Sequence, residues 1–297
     1  MAGEFPARRA CFIVSMLSLL SALPAPAAHA QAIRSTASVP QEGDWRTIAD
    51  DQLLVMRLSG NRTIIIRLAP DYAPEHVANI RAMALAHWWD GQAINRVQDN
   101  WVVQWGDAAK RPLPASVKPY PAAEYDFAAM PIVQRLPKAD AYSAFAGISA
   151  DGWPMASDGT KSWIAHCYAT VGVGRADAPD TGSGAELFMP LGGSARRLDR
   201  NYTVIGRVIE GAPYLSALPR SLGKWGFYDN PADFTPIETI RLASDMPESE
   251  RPRFQYRAAD NARFAALIAE KLHPRPPMVA LGGMDVCDVP LEVRRLP

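Results

Sequence analysis

The chain predicts an all-β fold, a barrel or sandwich with helical caps. Three observations carry that expectation: many short strand-like runs, only two helical patterns, and long connecting loops. Such a mixture does not suit a bundle or an alternating α/β sheet.

The elements follow in order. Residues 1–30 carry Arg8 and Arg9, an apolar run from Ala10 to Leu20, and small residues ending Ala28-His29-Ala30. That is the pattern of a secretory signal peptide cleaved after Ala30. The apolar run is too short for a bilayer core of roughly 30 Å, so it does not read as an anchor. Residues 31–47 are mixed and read as a flexible mature N-terminus. Two apolar, β-branched runs, 52–58 and 63–68, flank Gly60-Asn61, a two-residue hairpin signal. Pro74 suits the first turn of a helix, and Val77, Ile80 and Ala84 recur with helical spacing, which predicts an amphipathic helix over 74–87. The segment 94–107, "INRVQDNWVVQWGD", reads as two strands meeting at Asp99-Asn100 and closing at Gly106-Asp107. Prolines 112, 114, 119, 121, 131 and 137 then make regular helix unfavourable. The stretch of about 110–170 reads as a long, partly ordered insertion with short strands near 121–127 and 164–171. A glycine-rich loop, 172–186, precedes strands at 187–191, 203–211 and 235–242. A C-terminal helix over about 257–272, with an apolar stripe through Phe264, Leu267, Ile268 and Leu272, reads as a brace on the barrel. A Pro-rich tail ends the chain.

Composition narrows the function. The 31 Lys+Arg balance 31 Asp+Glu over 297 residues, so nothing electrostatic points to nucleic acid or to a membrane surface once the signal is gone. Cys167 and Cys287 remain after the signal is lost, and in an exported chain an even pair reads as a disulfide, with two buried thiols as the other reading. No ligand spacing suggests a metal. His166-Cys167 is a poor nucleophilic dyad, because strand neighbours point to opposite faces. The loop 172–184 lacks the G-K-[ST] ending of a phosphate cradle. Trp88-Trp89 read as packing at the helix end, and the sequons at Asn61 and Asn201 as chance matches.

Arg96 is the residue that needs an explanation. It stands in an apolar run, eight positions before Gln104, and a buried cation is costly unless it is paired or kept for a ligand. Read alone, the run favours a structural arginine paired with Glu186 or Asp177, with Gln104 a surface strand residue. Four segments in order change that balance: the helix "APEHVANIRAMA" with Trp89-Asp90-Gly91 after it, the run from Ile94 to Asp107, the segment Arg175–Met189, and the segment Leu198–Gly211. Together they resemble the cyclophilin-type peptidyl-prolyl isomerases over about 50–220.

The resemblance implies an eight-stranded antiparallel barrel capped by two helices, with an insertion and a C-terminal helical extension. It places the domain at 48–244 and the extension at 245–297. It also implies a catalytic Arg96 with Gln104, and substrate contacts from Trp101, Val102, Ala176, Asp177, Glu186, Phe188, Leu198 and Tyr202. The rim departs from the family: Asp177 replaces an asparagine, Glu186 a glutamine, Arg197 a tryptophan and Tyr202 a histidine. The implied reaction, rotation about an X–Pro bond, needs no cofactor, and the implied partners are proline-containing polypeptides folding in the periplasm or outside the cell. The alternative class is a cyclophilin-fold chaperone or binding module with little catalysis.

Overall fold

The computed structural model describes residues 36–106, 111–273, 277, 279 and 282–297. The expected signal peptide, its cleavage point after Ala30, and Asp107 lie outside the described residues.

Eight strands close into an antiparallel barrel. They are β2 (Leu53–Leu58), β3 (Arg62–Leu68), β4 (Ala93–Val97), β5 (Val102–Trp105), β10 (Thr170–Val173), β11 (Leu187–Pro190), β12 (Val204–Glu210) and β13 (Thr235–Leu242), in the order β10-β11-β5-β4-β13-β2-β3-β12. The apolar runs of β2 and β3 are continuous because both of their faces are covered. Leu54, Met56, Leu58, Ile64, Ile66 and Leu68 fill the barrel, whereas Leu53, Val55 and Ile65 belong to a separate cluster outside it. The β2–β3 connection is one residue longer than the sequence suggests: Leu58 pairs with Arg62, leaving Ser59, Gly60 and Asn61 in the turn. Helix α1 (Pro74–Leu85) starts on its proline and buries Val77, Ile80 and Met83 in the barrel core. The second cap is α2 (Ala212–Ser216), which contributes Leu215 to the same core.

The region expected to be a partly ordered insertion holds a sheet of its own. Strands β6 (Ile132–Arg135), β7 (Phe145–Ser149), β8 (Pro154–Ser157) and β9 (Ser162–Ile164) form a four-stranded antiparallel meander. The strand expected near 121–127 reduces to one bridge, Phe127 to Ser162. Helix α3 (Ala262–Leu272), capped by Asn261, whose side chain accepts from the Phe264 backbone N–H, packs on this sheet and not on the barrel. Its Phe264 and Ile268 join Leu136, Ile148, Trp163, Cys167 and Val286 in one apolar cluster. The C-terminal brace therefore supports the insertion. A disulfide joins Cys167 to Cys287 in the same cluster.

A third sheet corrects the reading of a flexible mature N-terminus over 36–47, residues 31–35 lying outside the described residues. Its strand β1 (Trp45–Thr47) pairs with β14 (Phe254–Arg257), which in turn pairs with β15 (Val293–Arg295). Residues 36–47 are thus built into structure, and Asp44 binds Arg263 Nε at 2.6 Å across 219 residues of sequence.

Candidate active site

Barrel register sets the site. Arg96 on β4 pairs with Gln104 on β5, Gln104 pairs with Phe188 on β11, and Phe188 pairs with Gly172 on β10. Four neighbouring strands thus place a cation, an amide and a ring in one row, as cross-strand geometry requires. Gly172 is needed there, since a Cβ at that position would lie 2.3 Å from the Phe188 ring.

The guanidinium of Arg96 is fixed by neutral acceptors. Its Nη1 donates to Gln104 Oε1 at 3.0 Å, its Nη2 to Gln98 Oε1 at 2.7 Å, and its Nε to the Trp225 carbonyl at 2.7 Å. The Phe227 ring lies 5.0 Å from its Cζ. Among the described residues it makes no ion pair, so neither Glu186 nor Asp177 neutralises it. Burial lowers the guanidinium pKa and the nearby Tyr202 opposes that shift. Arginine stays protonated at neutral pH even so. Gln104 is 7% exposed rather than a surface residue, and its Nε2 lies 3.5 Å from Glu186 Oε2.

Beside this row lies an apolar floor. Val102, Phe188, Ala195 and Leu198 are buried together, with Trp101 and Tyr202 packed against them. Phe188 is held in place from two sides. Tyr202 meets it edge-on with centroids 5.5 Å apart, and the buried His166 ring stacks on it at 6.0 Å. His166 is in turn held by Asp199, which accepts from its backbone N–H at 2.8 Å. Burial would raise the Asp199 carboxyl pKa, but the His166 hydrogen bond and the Arg196 charge outweigh it and hold the group low. Arg196 also reaches Asp140 in the insertion at 2.9 Å and Asp285 in the tail at 3.4 Å, so the floor rests on a charge network spanning three segments.

The resulting groove measures about 260 Å³. Of the residues singled out in the sequence, it brings together Arg96, Trp101, Val102, Gln104, Glu186, Phe188, Leu198 and Tyr202. Ala176 and Asp177 are exposed on the adjoining loop and do not line it. Sequence reasoning missed Arg175 and Phe227 in the walls, and Gln98 and Trp225 as partners of Arg96. The one local signal was the aromatic cluster Trp225, Phe227 and Tyr228 in "GKWGFY", residues 223–228, interrupted by Gly226 in a loop.

The family model for cyclophilin type peptidyl-prolyl cis-trans isomerase/CLD matches residues 53–241. This chain belongs to that family. The cyclophilin domain so defined contains all eight barrel strands but for Leu242, the last residue of β13, together with the insertion sheet. A solved structure, cyclophilin AquaCyp293 from Hirschia baltica, matches with a TM-score of 0.66 and 22% identity over 84% of this chain and 93% of that one, a likeness of fold. A Cryptosporidium parvum cyclophilin type peptidyl-prolyl cis-trans isomerase, solved in the presence of the dipeptide Ala-Pro, matches with a TM-score of 0.42 and 14% identity over 64% of this chain and 98% of that one. No curated protein matches the sequence of this cyclophilin.

Proposed function

We propose that this cyclophilin accelerates X–Pro isomerisation in polypeptides that fold after export, using Arg96 as the catalytic residue. The barrier to rotation, about 18–20 kcal/mol, comes from amide resonance. No covalent bond is made or broken. A donor beside the prolyl nitrogen stabilises the pyramidal nitrogen of the twisted amide more than the planar ground state, and that difference is what lowers the barrier. The observation that carries the reading is a charged guanidinium fixed by neutral partners next to a floor of Val102, Phe188 and Leu198 that fits a proline ring. Arginine suits the task because its charge is permanent and its donors are held in a fixed fork. Gln104 orients the fork and is available to a substrate backbone.

Export is supported by the signal-like pattern in residues 1–30 and by the bonded pair Cys167–Cys287, which suits an oxidising compartment. The mass of the chain recovered from a periplasmic fraction tests this half of the proposal: it must correspond to residues 31–297. A protease-coupled proline-peptide assay tests the other half. Wild type is expected to accelerate isomerisation, and Arg96→Ala to lose about 10²–10³-fold in kcat/KM, the usual cost of removing one preorganised donor. Background rates for both proteins would leave only a cyclophilin-fold chaperone or binding module.

A further inference from the structure

The loop between α2 and β13 runs beside β4. Ser221 donates to the Val97 carbonyl at 2.9 Å and Tyr228 to the Asn95 carbonyl at 3.0 Å, while Phe227 forms a β-bridge with Arg96 between them. Inside the loop the Ser221 hydroxyl donates to the Phe227 carbonyl at 2.6 Å, and the Gly226 N–H to the Gly223 carbonyl at 2.9 Å. The turn is therefore fixed by its own hydrogen bonds as well as by the barrel. It nevertheless presents apolar side chains to solvent: Leu222 is fully exposed, Trp225 is 68% exposed and Phe227 is 39% exposed.

Trp225 is the informative member. Its φ of 60° and ψ of 15° lie in the left-handed region, which bulky residues seldom adopt and glycine or asparagine enters at little cost. Either of those would supply the carbonyl that fixes Arg96 Nε equally well. Among the described residues the indole takes part in no hydrogen bond or ring stacking. Neither the backbone nor the interior asks for a large aromatic here. A strained, exposed tryptophan beside a groove has the character of a ligand contact.

We propose that Trp225, continued by Phe227, is an apolar lip that selects substrates with a non-polar side chain flanking the proline, an inference that rests on the isomerase reading of the groove. Phe227 joins the lip to the groove: it lines the cavity, and its ring lies 5.0 Å from Arg96 Cζ. The Trp225 carbonyl is 2.7 Å from Arg96 Nε, so its Cα lies within about 5 Å of that nitrogen. A residue next to a proline held at Arg96 has its own Cα only about 3.8 Å further along the chain, which brings its side chain within reach of the indole. At the other end of the strand row, β10 and β11 adjoin the polar Arg175 and Glu186, which also line the groove. The apolar preference therefore belongs to the flank that passes β4.

The test uses an alanine host peptide with one central proline, and variants with phenylalanine at each of the two positions on either side of it. Affinity is read by calorimetry and kcat/KM in the protease-coupled assay. Phenylalanine at one of these positions should tighten binding to wild type by about tenfold over the host. Trp225→Asn suits the left-handed backbone and should lose that gain, while Trp225→Phe should keep most of it. Comparing the two peptides on the same protein cancels any change at Arg96. Equal affinities at all four positions in wild type, a gain retained in Trp225→Asn, or a gain lost equally in Trp225→Phe would each overturn the proposal. A Trp225-dependent dimer in sedimentation would give the indole to a second copy of the chain and overturn it too. A Trp225-dependent binding preference without acceleration would remove the isomerase reading and leave the lip standing, whereas acceleration without preference would do the reverse.

Discussion

The Cys167–Cys287 bond offers the most direct test of how the extension serves the barrel. It closes a sequence separation of 120 residues. In the chain-entropy account, a loop of that length contributes about 5 kcal/mol by restricting the unfolded chain. For a protein of this size that corresponds to a Tm lower by roughly 10–20 °C when the bond is absent. Cys287→Ser is the cleaner perturbation, because Cys287 is partly exposed while Cys167 is 6% exposed in the apolar cluster. Calorimetry of the variant and of wild type with dithiothreitol should give coincident melts, both far below oxidised wild type. Activity at 10 °C should persist, because the neighbouring His166 stays tied to Asp199 and keeps its place against Phe188. Two titratable thiols in native protein, or a variant that melts with oxidised wild type, would refute this reasoning.

Two further outcomes follow from the same geometry. Gly226→Ala adds a Cβ 2.5 Å from Gln98 Cβ at a position with φ +79°, so it should displace the loop whose Trp225 carbonyl fixes Arg96 Nε; kcat/KM in the proline-peptide assay should drop by at least about tenfold, and an unchanged value would mean the loop does not set the arginine. Asp44 is held at a pKa of about 2, chiefly by its hydrogen bonds from Arg263 and against the effect of burial. A folded pKa below the unfolded one gives stability that is complete above the ordinary carboxylate range and lost as pH falls toward 2; the Tm gap between wild type and Asp44→Asn should therefore narrow between pH 5 and pH 2, and a constant gap would show that the charge is not the source.

Elements with a strong local period were legible in the sequence. The apolar runs of β2 and β3, the Pro74 start of α1 and the pattern of β13 all declare themselves within a few residues. The insertion sheet did not, because its strands are three to five residues long and prolines mask them. Pro154 opens β8, where its carbonyl still accepts from Ala165 at 2.8 Å, so a residue type that usually interrupts strands is a member of the ladder. Strand β1 exists only through its partner β14, some two hundred residues later in the chain, and no local signal encodes that pairing. The site divides in the same way. Arg96, Gln104 and Phe188 came from the family resemblance, and register explains why they meet. The Trp225 carbonyl reaches Arg96 from 129 residues away, a contact that only the closed barrel creates.

The electrostatic setting of Arg96 bears on its proposed catalytic role. Several arginines that join segments are given carboxylates: Arg196 has Asp140, Asp199 and Asp285, Arg241 has Asp90, and Arg263 has Asp44, whereas Arg111 and Arg207 have backbone carbonyls. A neutralised guanidinium can brace a loop, but its field is largely spent on the carboxylate and has little left for a neutral amide. Arg96 is oriented as firmly, with three donors engaged, yet every acceptor is neutral. Its orientation is therefore fixed while its charge remains unbalanced by any described carboxylate. Desolvation of such a group costs stability, and a fold that needed only a brace would be better served by an acid at Gln98. Gln98→Glu should accordingly raise the Tm and lower kcat/KM in the proline-peptide assay together, because the same charge that settles the arginine removes its pull on a prolyl nitrogen.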